Sequence, residues 1–345
     1  MNAGTQIAGT QNTAPLRIGL LGASRIAELA LIKPATATGD RLVAVAARSP
    51  ERARAFAEKF GVERVVADYG ALLADPEVEV VYNPLANALH GPWNLAAVSA
   101  GKHVLSEKPF ASNATEAAQV AEAARAAGVT VLEGFHYWFH PGFGRVKQLV
   151  ADGTLGEVRH IEAVLEMPRP GADDPRWRLD LAGGAGMDLG CYAIHVQRSF
   201  AQWAGGAPRV VSAFADEHDG APGVDDRLDV ELEFPGGATG YARASMVERE
   251  YRFTVRVIGS RGSVYVHNLL RPDLDDRLTL RTPAGTTSEH VSHKSTYTYQ
   301  LEAFAAHLRT GAPLGLGVDD AVANMVLLDD VYRAAGFSPR PTYQA

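Results

Sequence analysis

One cysteine, Cys191, is all the thiol chemistry in a chain of 345 residues. That excludes an internal disulfide framework and a cysteine-rich zinc site. Positive charge is in deficit: 33 lysines and arginines stand against 40 aspartates and glutamates, a net charge of -7. Nucleic acid calls for a basic face, so no electrostatic case for it exists. No apolar run approaches the length of a membrane span. Residues 1–15 contain neither lysine nor arginine and no long apolar block, so they do not read as a secretory signal. Their Gly, Thr, Asn and Gln suggest a floppy tail, and a cytoplasmic location is expected. No internal repeat or low-complexity segment follows. What is present is an ordinary globular composition, 46% hydrophobic and 21% charged, over a length that suits two domains.

The first half alternates strands and helices. Leu16–Leu21 is a short buried strand that runs into Gly22-Ala23-Ser24-Arg25-Ile26-Ala27 and then a helical pattern through Lys33. Strand, glycine turn and helix form the dinucleotide-binding layout. Gly22 permits the turn, Ser24 stands where a second glycine lets backbone approach a pyrophosphate, and Ala27 allows close helix–strand packing. Arg41–Ala47 is a second strand, followed by a helix over Pro50–Phe60. Strands are further expected at 63–67, 78–85, 103–106 and 129–133, with helices at about 89–100 and 113–127. This rhythm gives a parallel sheet with helices on both faces, an α/β dinucleotide-binding (Rossmann) domain over residues 16–134.

Ligands bind such sheets at the carboxyl ends of the strands. Gly22, Arg48, Leu85, Asn87, Lys108 and Gly134 fall there. An NAD-preferring site usually carries a carboxylate at the end of the second strand. Here that end reads Ala47-Arg48-Ser49, with no acid before Glu51. Arg48 can pair with a 2′-phosphate and Ser49 can add a hydrogen bond, so NADP(H) is favoured over NAD(H). The alternative is a solvated Arg48 at an indifferent site. Lys108, in Ser106-Glu107-Lys108-Pro109-Phe110, lies at the rim of this cleft. Burial there would lower its pKa toward neutrality and make it a usable proton donor.

With these residues in place, the chain resembles the glucose–fructose oxidoreductase / inositol dehydrogenase (Gfo/Idh/MocA) family. The likeness runs from Leu16 to Gly336. It rests on Glu107-Lys108-Pro109, on Asn87 with His90, on Tyr137-Trp138-Phe139-His140-Pro141, and on the run Gly183 to His195 (GGAGMDLGCYAIH). The chain departs from the family at Trp138, at Ala86 and at Ser24, where arginine, proline and glycine are usual. The resemblance implies dinucleotide contacts from Gly22, Ala23, Ser24, Arg25, Ile26, Arg48, Ser49, Leu85, Asn87, His90, Glu107 and Lys108. It also implies a substrate domain over 135–318 with an open, mostly antiparallel sheet. A final helix, 319–336, would return to cover the first domain. One face of the sheet would make a homodimer or homotetramer.

The second half agrees on its own evidence. Strand-like segments with apolar–polar alternation occur at 156–167, 209–215, 227–234, 239–246, 253–258 and 263–268, separated by glycine-rich turns. Arg243, Ser245, Thr254 and Arg256 would not all be buried. On the helix that begins near Gly184, Asp188, Tyr192 and His195 are spaced i, i+4 and i+7, which puts a carboxylate, a phenol and an imidazole on one face. Proton handling and plain packing both fit that stripe. The resemblance favours the first: His195 or Tyr192 bonds the reacting oxygen, Asp188 orients the site and Glu107 orients Lys108. The double glycine ahead of the helix would let the chain approach a ligand closely. In the long polar loop 168–182, Trp177 could stack on a sugar ring and Arg178 could bond it. Trp138 and His140 border the pocket or pack in the core. Glu289, His290 and His293 have metal-ligand chemistry, but no second segment supports them, and no metal is expected.

The function expected is reversible hydride transfer between nicotinamide C4 and a hydroxyl or carbonyl carbon of a sugar-like substrate. Lys108 would be the acid/base, with Asp188, Tyr192 and His195. A non-sugar diol of the trans-dihydrodiol kind, or a non-catalytic NADP(H)-binding sensor, are the alternatives.

Overall fold

The computed structural model describes residues 14–343. Residues 1–13 of the expected tail lie outside the described residues. Its last two residues do not float: the carbonyls of Ala14 and Pro15 accept from Arg309 at 2.8 and 3.1 Å.

The first sheet has five parallel strands, β1 (Arg17–Leu21), β2 (Arg41–Ala46), β3 (Val80–Asn83), β4 (His103–Ser106) and β5 (Val131–Glu133), in the order β2-β1-β3-β4-β5. Buried on both faces, these strands are almost unbroken apolar runs. The strand expected at 63–67 shrinks to one parallel bridge, Val45 to Val65. Val45 N–H to Arg64 O and Val66 N–H to Val45 O, both 3.0 Å, with Glu63 N–H to Leu42 O at 2.9 Å, hold the segment to β2. Counting that bridge as an edge strand restores the dinucleotide-binding order, with the switch point between β1 and β3.

Helices cover both faces. After β1 a wide π-helical turn, Glu28–Ile32, continues as α1 (Lys33–Thr38), past the expected end at Lys33. Gly39 in the left-handed region stops it. α2 (Pro50–Phe60) starts on Ser49, whose hydroxyl accepts from Arg52 N–H at 3.2 Å. A short α3 (Tyr69–Ala74), absent from the sequence reading, is capped by Asp68. α4 (His90–Ser99) and α5 (Ala114–Ala127) complete the layer, and Asn113 caps α5.

After α6 (Pro141–Ala151) comes the second sheet: β6 (Val158–Pro168), β7 (Arg209–Glu217), β8 (Asp225–Glu233), β9 (Thr239–Glu248), β10 (Arg252–Gly259), β11 (Ser263–Val266), β12 (Arg277–Thr282) and β13 (Gly285–His290). Its order is β13-β12-β11-β10-β6-β9-β8-β7, antiparallel except where β6 pairs with β9. β12 and β13 are too polar to have read as strands. Across one face lies α7 (Cys191–Arg198), preceded by a π-helical stretch, Gly186–Gly190. On the other face charges answer one another: Glu166 receives both Arg243 and Arg252, and Arg243 also reaches Asp229. Of the four polar residues expected not all to be buried, Ser245 and Thr254 are buried while Arg243 and Arg256 stay partly exposed.

α8 (Thr296–Thr310) and α9 (Val318–Ala334) close the fold. α9 lies along α5, with Asp329 accepting the Ala114 N–H at 3.1 Å and Arg125 pairing with Asp319 at 2.7 Å. No helix among the described residues is long and apolar enough to cross a membrane.

Two buried imidazoles set an acid limit on this fold. His90 lies between the carbonyls of Pro109 and Leu85, at 2.7 and 2.9 Å. His136 bonds Thr296 at 2.7 Å and stacks on Tyr297. Burial pushes them down from 6.5 to about 4 and about 3. Above pH 6.5 both states hold these groups neutral. As pH falls from 6.5 toward 4 the unfolded chain takes protons that the native state refuses, so stability drops. At pH 5 the loss is about 2 kcal/mol for each histidine. Thermal melts in matched buffers should show Tm falling steadily between pH 7 and pH 5; a flat profile would contradict it.

Candidate active site

Lys108 follows β4 directly, and its bond to Pro109 is cis. Its ammonium reaches across to the turn ahead of α7. There it donates to Asp188 twice, to the main-chain carbonyl and to Oδ1, each at 2.8 Å. The other carboxylate oxygen, Oδ2, accepts from Arg176 Nε at 2.8 Å. Both partners are nearly enclosed, with 13% of the Lys108 side chain and 9% of the Asp188 side chain exposed. Burial alone would raise the Asp188 carboxyl, but Arg176 and Lys108 outweigh it and hold Asp188 well below the usual carboxylate range. Burial would likewise lower Lys108, yet the adjoining Asp188 carboxylate wins, and the ammonium is held above its ordinary value. The expected shift toward neutrality is therefore reversed.

Tyr192 is next on the same face. Lys108 Nζ lies 5.2 Å from its ring centroid. Among the described residues nothing bonds its hydroxyl, and that oxygen is not one of the fully enclosed unpartnered atoms. Burial drives its pKa well above 10. His195, one turn further, is not beside them. Its Nδ1 meets the Tyr137 hydroxyl at 2.6 Å and its Nε2 meets Asp320 at 2.9 Å, while Phe135 stacks on the ring. Burial keeps the imidazole neutral, so Nε2–H donates to Asp320 and Nδ1 accepts from Tyr137. With both nitrogens used, His195 has no group left for a reacting oxygen.

Other expectations are corrected in the same way. Glu107 does not hold Lys108; it accepts from the Tyr82 hydroxyl at 2.8 Å, and burial raises its pKa. Trp177 is 6% exposed and stacked on His218 at 3.9 Å, so that face is closed to a sugar ring. Arg178 points to solvent, 60% exposed, and pairs with Asp180. Two positions earlier, Arg176 is the arginine at the site. Trp138 packs between Phe143 and His195, with Lys147 Nζ 3.5 Å above its ring centroid. His90 is a buried tie between two loops rather than an open contact. Asn87 bonds the Ala182 carbonyl at 3.0 Å, which joins the β3 loop to the loop ahead of α7.

The double glycine serves the protein, not a ligand. A Cβ on Gly184, whose φ is +125°, would fall 2.0 Å from Asp225 Oδ1 and 2.4 Å from an Arg340 nitrogen; one on Gly183 would fall 2.3 Å from the Arg176 carbonyl. Arg340, almost fully buried, donates to the carbonyls of Gly183 (2.7 Å) and Gly223 (2.8 Å) and pairs with Asp225. Asp225 in turn accepts the Gly186 N–H at 2.6 Å and the Tyr332 hydroxyl at 3.0 Å. Sequence reasoning found neither Asp225 nor Arg340, because they lie far apart in sequence from the helix they position. Glu133, at the end of β5, was also missed. It is buried with neither oxygen bonded, and burial raises its pKa well above the ordinary carboxyl value.

The other half of the cleft fits a dinucleotide. Gly22 has φ +85° and its N–H reaches Ala46 O at 2.6 Å; a Cβ there would press Leu85 Cδ2 at 3.1 Å. Ala23, Ser24 and Ile26 are half-buried around the turn. Arg25 is almost wholly exposed and comes within 3.6 Å of Asp174. Arg48 is exposed and carries no hydrogen bond or ion pair among the described residues. Arg52, unforeseen, donates to Ala23 O at 3.1 Å. Ser49 is spent on capping α2 and on Glu51, and Glu51 is paired with Arg54.

A parallel dinucleotide-binding sheet whose carboxyl edge faces a lysine–aspartate–tyrosine cluster defines a nicotinamide-dependent oxidoreductase. Residues 16–135 match the oxidoreductase family with an NAD-binding Rossmann fold, and residues 143–265 match the GFO/IDH/MocA C-terminal domain. The chain belongs to the GFO/IDH/MocA family. It is 35% identical to D-xylose 1-dehydrogenase (NADP(+)) 2 of Haloferax volcanii over 93% of this chain and 97% of that protein. It is 36% identical to dTDP-3,4-didehydro-2,6-dideoxy-alpha-D-glucose 3-reductase of Streptomyces violaceoruber over 97% and 98%. The 3-ketoreductase of Actinomadura kijaniata, solved with NADP and TDP-benzene, superposes with a TM-score of 0.84 at 27% identity, over 93% of this chain and 98% of that one.

Replacing Asp188 by Asn would leave the nearly enclosed Lys108 ammonium without a carboxylate, while the half-buried Arg176 keeps Asp174. Asp188→Asn should lower stability by about 3 kcal/mol, read as a fall in denaturant midpoint at pH 7. An unchanged midpoint would show that Lys108 and Arg176 do not depend on that charge.

Proposed function

We propose that the protein is an NADP(H)-dependent oxidoreductase that interconverts a hydroxyl and a carbonyl on a sugar or sugar derivative. The observation that carries this is the Lys108–Asp188–Tyr192 cluster at the carboxyl edge of the dinucleotide sheet. Nicotinamide, when bound, supplies or accepts the hydride. The rest falls to side chains of this chain. Two of the three ammonium N–H groups of Lys108 are taken by Asp188. The third is left to hold the substrate oxygen and to stabilise the charge that develops on it. Tyr192, with a hydroxyl free of protein partners, passes the proton to or from that oxygen. The general acid/base role thus moves from Lys108, where residue type alone puts it, to Tyr192, because Asp188 keeps the lysine charged. Asp188 and Arg176 position Lys108. The sugar class is favoured by the names of the two relatives, a xylose dehydrogenase and a nucleotide-sugar reductase.

A preference for NADP(H) is supported by the unpaired Arg48 and by the engagement of Glu51, the nearest acid, with Ser49 and Arg54. Arg48→Glu should weaken NADPH about tenfold while leaving NADH nearly unchanged, measured by cofactor fluorescence titration. Equal loss for both cofactors would remove Arg48 from 2′-phosphate recognition. We further propose a homodimer or homotetramer through the second sheet; Val211 and Phe214, both more than half exposed on the edge strand β7, support a protein partner there.

The direct test is an NADPH absorbance screen against aldoses, keto-sugars, nucleotide-linked sugars and dihydrodiols. On the substrate it finds, Tyr192→Phe and Lys108→Ala should each cut kcat by about 10²-fold or more with NADPH binding retained. Near-normal turnover by Tyr192→Phe would return the proton to Lys108. No turnover on any class would favour a sensor.

A further inference from the structure

A second constellation of titratable groups lies outside the cleft, at the far edge of the second sheet. In sequence, His290 and His293 have no supporting segment. The fold supplies one: Asp276, from the turn ahead of β12, lies directly opposite them. Asp276 Oδ1 is 2.6 Å from His290 Nδ1 and 3.6 Å from His293 Nε2. The three candidate ligand atoms all lie within 4.8 Å of one another. Asp276 Oδ2 is fixed separately by the Val291 N–H at 2.8 Å.

The charge balance around this carboxylate is unusual for the segment. Its neighbours Asp273 and Asp275 are each paired with an arginine, Arg271 and Arg277. Glu289, the third residue singled out by sequence, is taken by Arg145 at 2.8 Å and is not available. Asp276 has 2% of its side chain exposed, and among the described residues the basic groups within ion-pair distance of it are the two imidazoles. Hydrogen bonds from His290 and from the Val291 N–H offset the desolvation of this buried carboxylate and leave it an anionic donor facing both imidazoles. The imidazoles are about two-thirds exposed, 64% and 65%, so each can rotate while the carboxylate stays anchored.

We propose that Asp276, His290 and His293 form a binding site for a divalent transition metal of the zinc class. Two imidazole nitrogens with one carboxylate oxygen are a donor set that such ions take, with water completing the shell. In tetrahedral geometry, ligand atoms about 2.0–2.1 Å from the ion stand about 3.3 Å apart, so His290 must retreat from Asp276 by about 0.7 Å, His293 close in by about 0.3 Å, and the two imidazole nitrogens approach each other by up to about 1.5 Å. The ion replaces the hydrogen bond from His290 and neutralises Asp276. Its consequence for the fold is local. It joins the end of β13 and residues 291–293 to the turn before β12. That stretch leads into α8, where Tyr297 stacks on His136 beside the catalytic cluster. The site is separate from the cleft, and the hydride chemistry proposed above does not pass through it.

Calorimetric titration of the chelator-treated full chain with ZnCl2 tests this. One equivalent should bind per chain in the micromolar range, and zinc should raise Tm. His293→Ala alters an exposed side chain and should leave the metal-free Tm within a degree or two of the parent, while His290→Ala, which removes a hydrogen bond from a buried carboxylate, should fold with a metal-free Tm lowered by several degrees. Each should weaken zinc binding at least about tenfold and remove the zinc-dependent rise in Tm. Absence of saturable one-equivalent binding by the parent chain, or binding of equal strength by either variant, would overturn the proposal.

Discussion

The carboxylate of Asp188 is the point on which the cleft is balanced. One oxygen answers a lysine from the dinucleotide sheet, the other an arginine from the loop before α7. Two cations of like sign are thereby held beside one carboxylate, the arginine with Asp174 as a second partner. Moving each ion out of water costs several kcal/mol, and that cost is offset only because both oxygens are bonded and geometry is close to ideal. The arrangement also fixes chemistry. A lysine in an apolar cleft tends to lose its proton; this one is kept as an ammonium, which suits it to hold a developing alkoxide rather than to surrender a proton freely.

The carboxylate keeps its place through a second buried pair. Arg340 and Asp225 grip the glycine loop that launches the π-helical turn carrying Asp188. Glycine is required there because Arg340 and Asp225 occupy the space where a side chain would project. The tail that bears Arg340 is itself anchored to the first unit: Asn113 donates to the Arg340 carbonyl at 2.9 Å and Tyr343 N–H reaches Glu116 at 3.0 Å. The cap of α5, the end of the chain and the start of the catalytic helix are thus one hydrogen-bonded assembly.

Much of this was legible in sequence, and the parts that were not share a cause. Apolar runs and glycine or proline punctuation located β1, β2, β4 and α2 to within a residue or two, because local periodicity dictates them. The strand at 63–67 read as regular because valine favours extended backbone, yet it forms a single bridge held by three main-chain hydrogen bonds. β13 was invisible because an exposed sheet edge needs no apolar face, and β12, beside it, buries only Leu278. At the site, Lys108, Asp188 and Tyr192 converge. Spacing placed His195 on their stripe, but Tyr137 and Asp320, on distant segments, claim both its nitrogens. Choosing Arg178 over Arg176 was a matter of which way a short 3₁₀ turn faces, which composition does not encode. Arg340 carries no local pattern at all; its role exists only in three dimensions.

That last feature has a bearing on biosynthesis. A chain leaves the ribosome from its amino end, and units made first fold first. The dinucleotide sheet, Lys108, Asp188 and Tyr192 all emerge well before Arg340. Until that guanidinium arrives, the Gly183 carbonyl and the Asp225 carboxylate lack their cation, and the loop that launches the helix bearing Asp188 rests on its remaining bonds, chief among them Gly186 N–H to Asp225. The carboxyl-terminal strap, made long after the groups it positions, is thus a late addition to the cleft it braces.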